Sequence, residues 1–89
     1  MNDEGKRREE VHKGSQAEQI LSNPVFDQAF EMLLTTYTNA LLNTEPNMVE
    51  ERERCYFAIS MLRQVRGELE NVMATGMMAA QTLSDPRLH

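Results

Sequence analysis

The feature that most constrains the fold is a run of apolar and small residues that recurs at alternating intervals of three and four positions through the second half of the chain. The positions are Cys55, Ala58, Leu62, Val65, Leu69, Val72, Gly76, Ala79 and Leu83. This heptad spacing places them on one stripe of an α-helix that packs along its length. It predicts a helix over residues 48–83, about 54 Å long, which ends before Asp85-Pro86.

A second, shorter heptad seam predicts another helix over residues 24–43. The seam consists of Phe26, Phe30, Leu33, Tyr37 and Ala40. Pro24 suits a first helical position, and Ser22 or Asn23 can cap it. The turn over residues 43–47 is short, with Asn47 as a possible cap for the long helix, so the two helices are expected to form an antiparallel hairpin. No strand-like alternation is present, and the predicted class is all-α with coiled-coil-like packing.

The N-terminal segment is rich in charge and nearly without apolar residues. Within residues 1–15, only Met1 and Val11 are apolar, which predicts a flexible tail. Ser15 and Glu18 match a capping box and predict a short helix over residues 16–22. The expected organisation is therefore one helical domain over residues 16–84, between this tail and a C-terminal tail over residues 85–89.

The unequal helix lengths predict an interaction surface. Starting from the turn, the helix over residues 24–43 reaches about as far as Leu69 on its longer neighbour. The first helix could cover part of the surface beyond Leu69, but its apolar residues are too few to cover it all. Uncovered apolar surface usually marks an interaction site. The predicted partner-binding residues are Val72, Met73, Gly76, Met77, Ala80 and Leu83.

Residues able to do chemistry are few. A single cysteine excludes an intrachain disulfide framework and a cysteine zinc site. Cys55 lies on the helical seam without a histidine nearby, which favours a core role. His12 and His89 fall in the predicted tails. We therefore expect no enzymatic activity, no cofactor and no metal ion.

The charge balance restricts the partners. Nine basic and fourteen acidic residues give a net charge of −5, so nucleic acid is an unfavourable partner. The longest run of hydrophobic residues, from Cys55 to Ile59, has five members, which predicts no membrane span. Acidic residues cluster around the turn and offer an alternative face for a basic partner groove: Glu45, Glu50, Glu51 and Glu53.

Three motifs resemble a group of short helical proteins encoded by tailed bacteriophages and prophages, over about residues 18–80. The first is a helix start formed by Asn23, Pro24, Phe26, Ala29 and Phe30. The second comprises Arg52, Glu53, Arg54, Cys55, Tyr56 and Ala58. The third comprises Val65, Arg66, Leu69 and Gly76. Members of that group are generally assigned no activity, so the resemblance implies a viral source more than a mechanism.

Two functions follow as expectations. The first is a non-enzymatic phage protein that works by helix-mediated self-association or docking, as a small virion or morphogenesis component. Its partners would be further copies of itself or a larger phage or host protein, in the host cytoplasm or the virion. The alternative is a small acidic inhibitor or adaptor that binds one host or phage protein. The seam contains alanine, glycine and cysteine, so it does not specify an oligomer number.

Overall fold

The computed structural model describes residues 3–88 and consists of helices. They are α1 (Asp3–Leu21), α2 (Pro24–Leu42), α3 (Val49–Ser84) and a short 3-10 helix, Pro86–Leu88. No strand occurs among the described residues, and the all-α prediction is confirmed. The shape is elongated, 61 × 26 × 17 Å.

Helix α2 begins where the sequence predicts, for the predicted reason. The side-chain Oδ1 of Asn23 accepts hydrogen bonds from the backbone N–H groups of Val25 (2.8 Å) and Phe26 (3.3 Å). These bonds satisfy N–H groups that have no partner within the helix. Asn23 itself is extended, as a residue before proline prefers to be. The junction between α1 and α2 is thus only two residues long.

Helix α3 is continuous from Val49 to Ser84, including the turn that contains Gly76. Its N-cap position is occupied by Met48, which makes no capping hydrogen bond with its side chain, so the expected cap at Asn47 is wrong. The turn before it is braced instead by Arg52, whose Nη1 donates to the backbone carbonyl of Glu45 at 2.6 Å.

The N-terminal tail is the main correction to the sequence prediction. Residues 3–15 form the greater part of α1, so the tail prediction is wrong there, and Ser15 lies inside the helix rather than at its start. Met1, Asn2 and His89 lie outside the described residues. At the other end, the tail predicted from residue 85 onwards includes the 3-10 helix.

The charges that suggested a solvated tail lie along the exposed surface of α1. Lys13 pairs with Glu9 at 3.1 Å and Arg8 with Glu4 at 3.9 Å, each across one helical turn. Such exposed pairs contribute only a few tenths of a kcal/mol each, roughly. Packing against α3 therefore has to supply most of the stability of α1.

Both α1 and α2 lie alongside α3 and run in the opposite direction. Gly14 contacts Gly76, Asp27 pairs with Arg66, and residue numbers fall along α3 as they rise along α1 and α2. The two shorter helices have 19 residues each and α3 has 36. Together they match its length, so α1 lies along the C-terminal half of α3, for which the sequence predicted only partial cover.

Small residues bring α1 and α3 close together. A Cβ atom added at Gly14 would lie 2.8 Å from the Cα of Gly76, and one added at Gly76 would lie 2.8 Å from the Glu10 carbonyl oxygen. Ala17 and Ala79 are buried in the same contact. The two backbones therefore touch, and even a methyl group would push them apart.

Large residues separate α2 from α3. Phe30 and Ile59 are the buried side chains of this half, and the ring of Phe26 stacks on that of Phe30 with centroids 6.1 Å apart. Within the described residues, no side chain is fully buried and the buried hydrophobic core has only four members. A pair of helices leaves one side of such a core open.

Candidate interaction surface

An apolar groove runs between α2 and the N-terminal half of α3. It encloses about 430 Å³ and is open to solvent along its length. The lining consists of Phe26, Ala29, Phe30, Leu33, Tyr37, Ala58, Met61, Leu62 and Val65. None of these residues carries a charge, and the only polar side chain is the tyrosine. The groove is therefore suited to an apolar occupant rather than to a charged ligand.

Arg66 packs against Phe30 from outside the groove lining. Its guanidinium lies 5.0 Å from the centre of the Phe30 ring and within 3.6 Å of the Asp27 carboxylate. A further ion pair to Glu70 at 3.7 Å holds the same guanidinium. This arrangement places a cation against the Phe30 ring, outside the uncharged lining of the groove.

A second uncharged seam follows the groove along α2. Val25, Ala29, Met32 and Thr36 are spaced by four, three and four residues, which puts them on one flank of the helix. The two large members are strongly exposed, Val25 at 73% and Met32 at 69%. The charged residues of α2, Asp27 and Glu31, fall on the other flank at 100° per residue. An uncharged flank beside an apolar groove extends the surface that can bind a helix.

A second apolar patch lies near the turn. Tyr56 and Phe57 are both exposed and line a shallow depression together with Leu41 and Val49. Arg52 and Glu53 share this depression, so its surroundings are charged, unlike those of the α2–α3 groove.

The stripe predicted for partner binding is partly covered by α1. Gly76 is buried against Gly14, so its expected exposure is wrong. Val72, Met73 and Leu83 are half-buried. Met77 and Ala80 remain exposed. The prediction failed at Gly76 because the segment that covers it was assigned to a tail.

The predicted acidic face is exposed at the turn end of the molecule. Glu45, Glu50, Glu51 and Glu53 are all solvent-accessible. Two arginines lie among them. Arg54 pairs with Glu51 at 3.6 Å, and Arg52 binds the carbonyl of Glu45. The local negative charge is thus weaker than the four carboxylates alone imply.

Potential reactive groups are scattered. Cys55 is a half-buried free thiol on α3, and His12 is exposed on α1. No group of three or more histidine, cysteine or acidic side chains that could hold a metal ion occurs within residues 3–88. None of the helices in this range is both long and apolar enough to cross a membrane.

Comparison with known proteins gives no match. No protein-family model, no curated protein and no solved structure matches the chain.

Two features of this surface were missed by reading the sequence. Gly14 was not recognised as a contact residue because residues 1–15 were assigned to a tail, and Ala17 was counted only as part of a helix with little apolar content. The second seam of α2 was missed because threonine and alanine weaken its apolar signal. The lack of charge over its whole flank is the sequence signal that identifies it.

Proposed function

We propose that this chain is a non-enzymatic assembly protein that acts by helix-mediated self-association or docking. The observation that carries this proposal is the imbalance between buried and exposed apolar residues. Among the described residues, four hydrophobic side chains are buried and thirteen large ones are exposed. Single exposed apolar residues are ordinary in soluble proteins, but a contiguous set marks an interaction surface.

The arrangement of the helices supports the same proposal. We describe it as an antiparallel helical hairpin with coiled-coil-like packing, in which α3 forms one arm and α1 and α2 together form the other. A single layer of paired helices buries little apolar surface, and chains of this size often need an additional stabilising contact. Association supplies that contact.

The biological setting we propose is a small virion or morphogenesis component of a tailed bacteriophage, in the host cytoplasm or the virion. The resemblance of the three sequence motifs to short phage-encoded helical proteins supports it. A component that assembles without catalysis is compatible with the scattered reactive groups. Its partner is a second copy or a larger phage or host protein.

The second candidate is an acidic inhibitor or adaptor that binds a basic groove. The exposure of Glu45, Glu50, Glu51 and Glu53 favours it. The arginines among these carboxylates weaken it, because they lower the negative potential that such a partner would recognise. Neutralising three of the acids, Glu50, Glu51 and Glu53, would abolish binding by an inhibitor and leave self-association intact.

The test is the solution mass of the full chain, measured by light scattering over a hundredfold range of concentration. Self-association predicts a mass that rises above 10.2 kDa with concentration. The variant Met77→Glu places a charge on an exposed methionine of the predicted partner-binding stripe, and it lowers the mass if that stripe forms the interface. A mass of 10.2 kDa at every concentration would contradict self-association and leave docking to another protein, which a pull-down would then test.

A further inference from the structure

We propose that the α2–α3 groove is closed by the same groove of a second copy, so that two chains share one four-helix core. This inference rests on the proposed self-association and specifies the surface that carries it. The interface consists of the groove lining and the uncharged flank of α2. The α1–α3 half of each chain lies outside it.

The chain exposes more surface than such a dimer needs to bury. The chain exposes 6915 Å², whereas a compact monomer of its 10.2 kDa mass exposes about 5,300 Å². The excess is about 1,600 Å² per chain, and a standard stable interface buries about 800 Å² on each partner. This surplus is spread over the whole elongated chain, and burying about half of it on each partner would give an interface of standard size.

The chemistry of the groove favours a second copy over a partner of high charge. The nine lining side chains and the adjacent seam carry no charge, so neither a basic nor an acidic segment finds an ion-pair partner there. A symmetric interface needs only a patch that is complementary to itself, and an uncharged apolar patch meets this condition. A dimer formed in this way brings four helices around Phe30, Leu33 and Leu62, the ordinary solution for amphipathic helices in water.

The overall charge gives the dimer a distinctive salt response. Each chain carries a net charge of −5, so two copies repel each other at long range. Added salt screens that repulsion and strengthens a dimer held by apolar contacts. A complex with a basic partner at the acidic turn would respond in the opposite direction.

The experiment compares matched leucine substitutions in the full chain. Leu33 lines the groove, whereas Leu42 is exposed at the end of α2 and does not line it. We expect Leu33→Glu to raise the dimer dissociation constant about a hundredfold or more, because it buries an unpaired carboxylate in each chain. Leu42→Glu, which adds the same charge, is expected to leave the constant nearly unchanged.

A second groove variant distinguishes loss of the dimer from loss of folding. Val65→Glu changes the opposite wall, and circular dichroism of each variant reports whether the helices remain. We expect Leu33→Glu and Val65→Glu both to be helical at 10.2 kDa, while the wild-type chain and Leu42→Glu have twice that mass. Sedimentation equilibrium at low and high salt is expected to show a tighter wild-type dimer at high salt.

The alternative results separate this inference from the proposed function. A wild-type oligomer that survives both groove substitutions, or that only Met77→Glu dissociates, overturns the groove as the interface and leaves self-association standing. A wild-type chain that stays monomeric throughout overturns the groove dimer and self-association alike, and leaves only docking to another protein from the proposed function. An oligomer that dissociates as salt is raised contradicts an interface held by apolar contacts.

Discussion

The two halves of this molecule use the same long helix in opposite ways. Against α1, helix α3 presents Gly76 and Ala79, and the backbones come into contact. Against α2, it presents Ile59 and Leu62, and the larger side chains hold the helices apart around a groove. The first half buries Ala17, Gly76 and Ala79 and leaves Ile20, Met77 and Met78 as its exposed large hydrophobic side chains. The second half still has an open core.

This difference shows that the number of apolar residues does not by itself decide which segment finds a partner within the chain. Helix α1 has low apolar content and still packs closely, because small residues let two backbones make many van der Waals contacts. Helix α2 has a strong apolar seam, yet its contact leaves more surface exposed. Substitutions that act on one half alone can separate the two kinds of packing.

The largest intrachain effect is expected from Phe30→Ala, which removes the main buried side chain of the α2–α3 half. We expect a loss of about 3–5 kcal/mol in the free energy of unfolding, from the cavity and the lost burial. Urea unfolding followed by circular dichroism at fixed protein concentration measures it. The matched control is Phe57→Ala, an exposed phenylalanine outside the groove, which is expected to cost much less. Equal losses would contradict the assignment of Phe30 to the core.

The close half is tested by Gly76→Ala, with Gly67→Ala as its control on the same helix. An added methyl at position 76 meets backbone atoms 2.8 Å away, whereas position 67 has open space within 4 Å. We expect Gly76→Ala to lower the free energy of unfolding by about 1–3 kcal/mol. Gly67→Ala is expected to raise it by about 1 kcal/mol through helix propensity. If both substitutions stabilise the chain, the backbone contact between α1 and α3 is wrong.

The smallest effect concerns the junction between the halves. Asn23→Ala removes the cap of α2 and is expected to cost about 1 kcal/mol. Asn39→Ala lies on the exposed surface within the same helix and is expected to be neutral or slightly stabilising. Thermal unfolding of the two variants compares them directly. A loss at Asn39 as large as that at Asn23 would indicate that the capping hydrogen bonds do not stabilise the junction.

The predictable parts of the fold are those determined by residues close together in the sequence. The start of α2 follows from Asn23-Pro24, and the length of α3 follows from its unbroken heptad seam. The helicity of residues 3–15 was not predictable in this way, because it depends on Gly14 meeting Gly76, a contact between residues distant in sequence. The composition of α1 reflects its charged, solvent-facing surface, while its contact with α3 is made by a narrow strip that contains Gly14 and Ala17.

The sequence predicted that an apolar interaction surface exists, but only partly where it lies. Unequal helix lengths indicated an unpartnered apolar region on α3, and the structure contains unpartnered apolar surface. Its place differs in part, because α1 covers Gly76, whereas Met77 and Ala80 stay exposed and more apolar surface lies in the groove near Leu33 and Val65. The heptad seam of one helix identifies apolar residues that are stabilised by burial. Which of these residues are covered within the chain depends on how closely each neighbouring helix approaches.

The central claim is that the α1–α3 half is packed within the chain while the α2–α3 groove is open to a second copy. The most direct test is residue-resolved amide hydrogen exchange at two protein concentrations a hundredfold apart. We expect protection over residues 26–37 of α2 to rise with concentration, because a second copy covers the groove. Protection over residues 8–18 of α1 is expected to stay nearly constant. Protection that is the same in both segments and independent of concentration would contradict the account, as would a rise confined to α1.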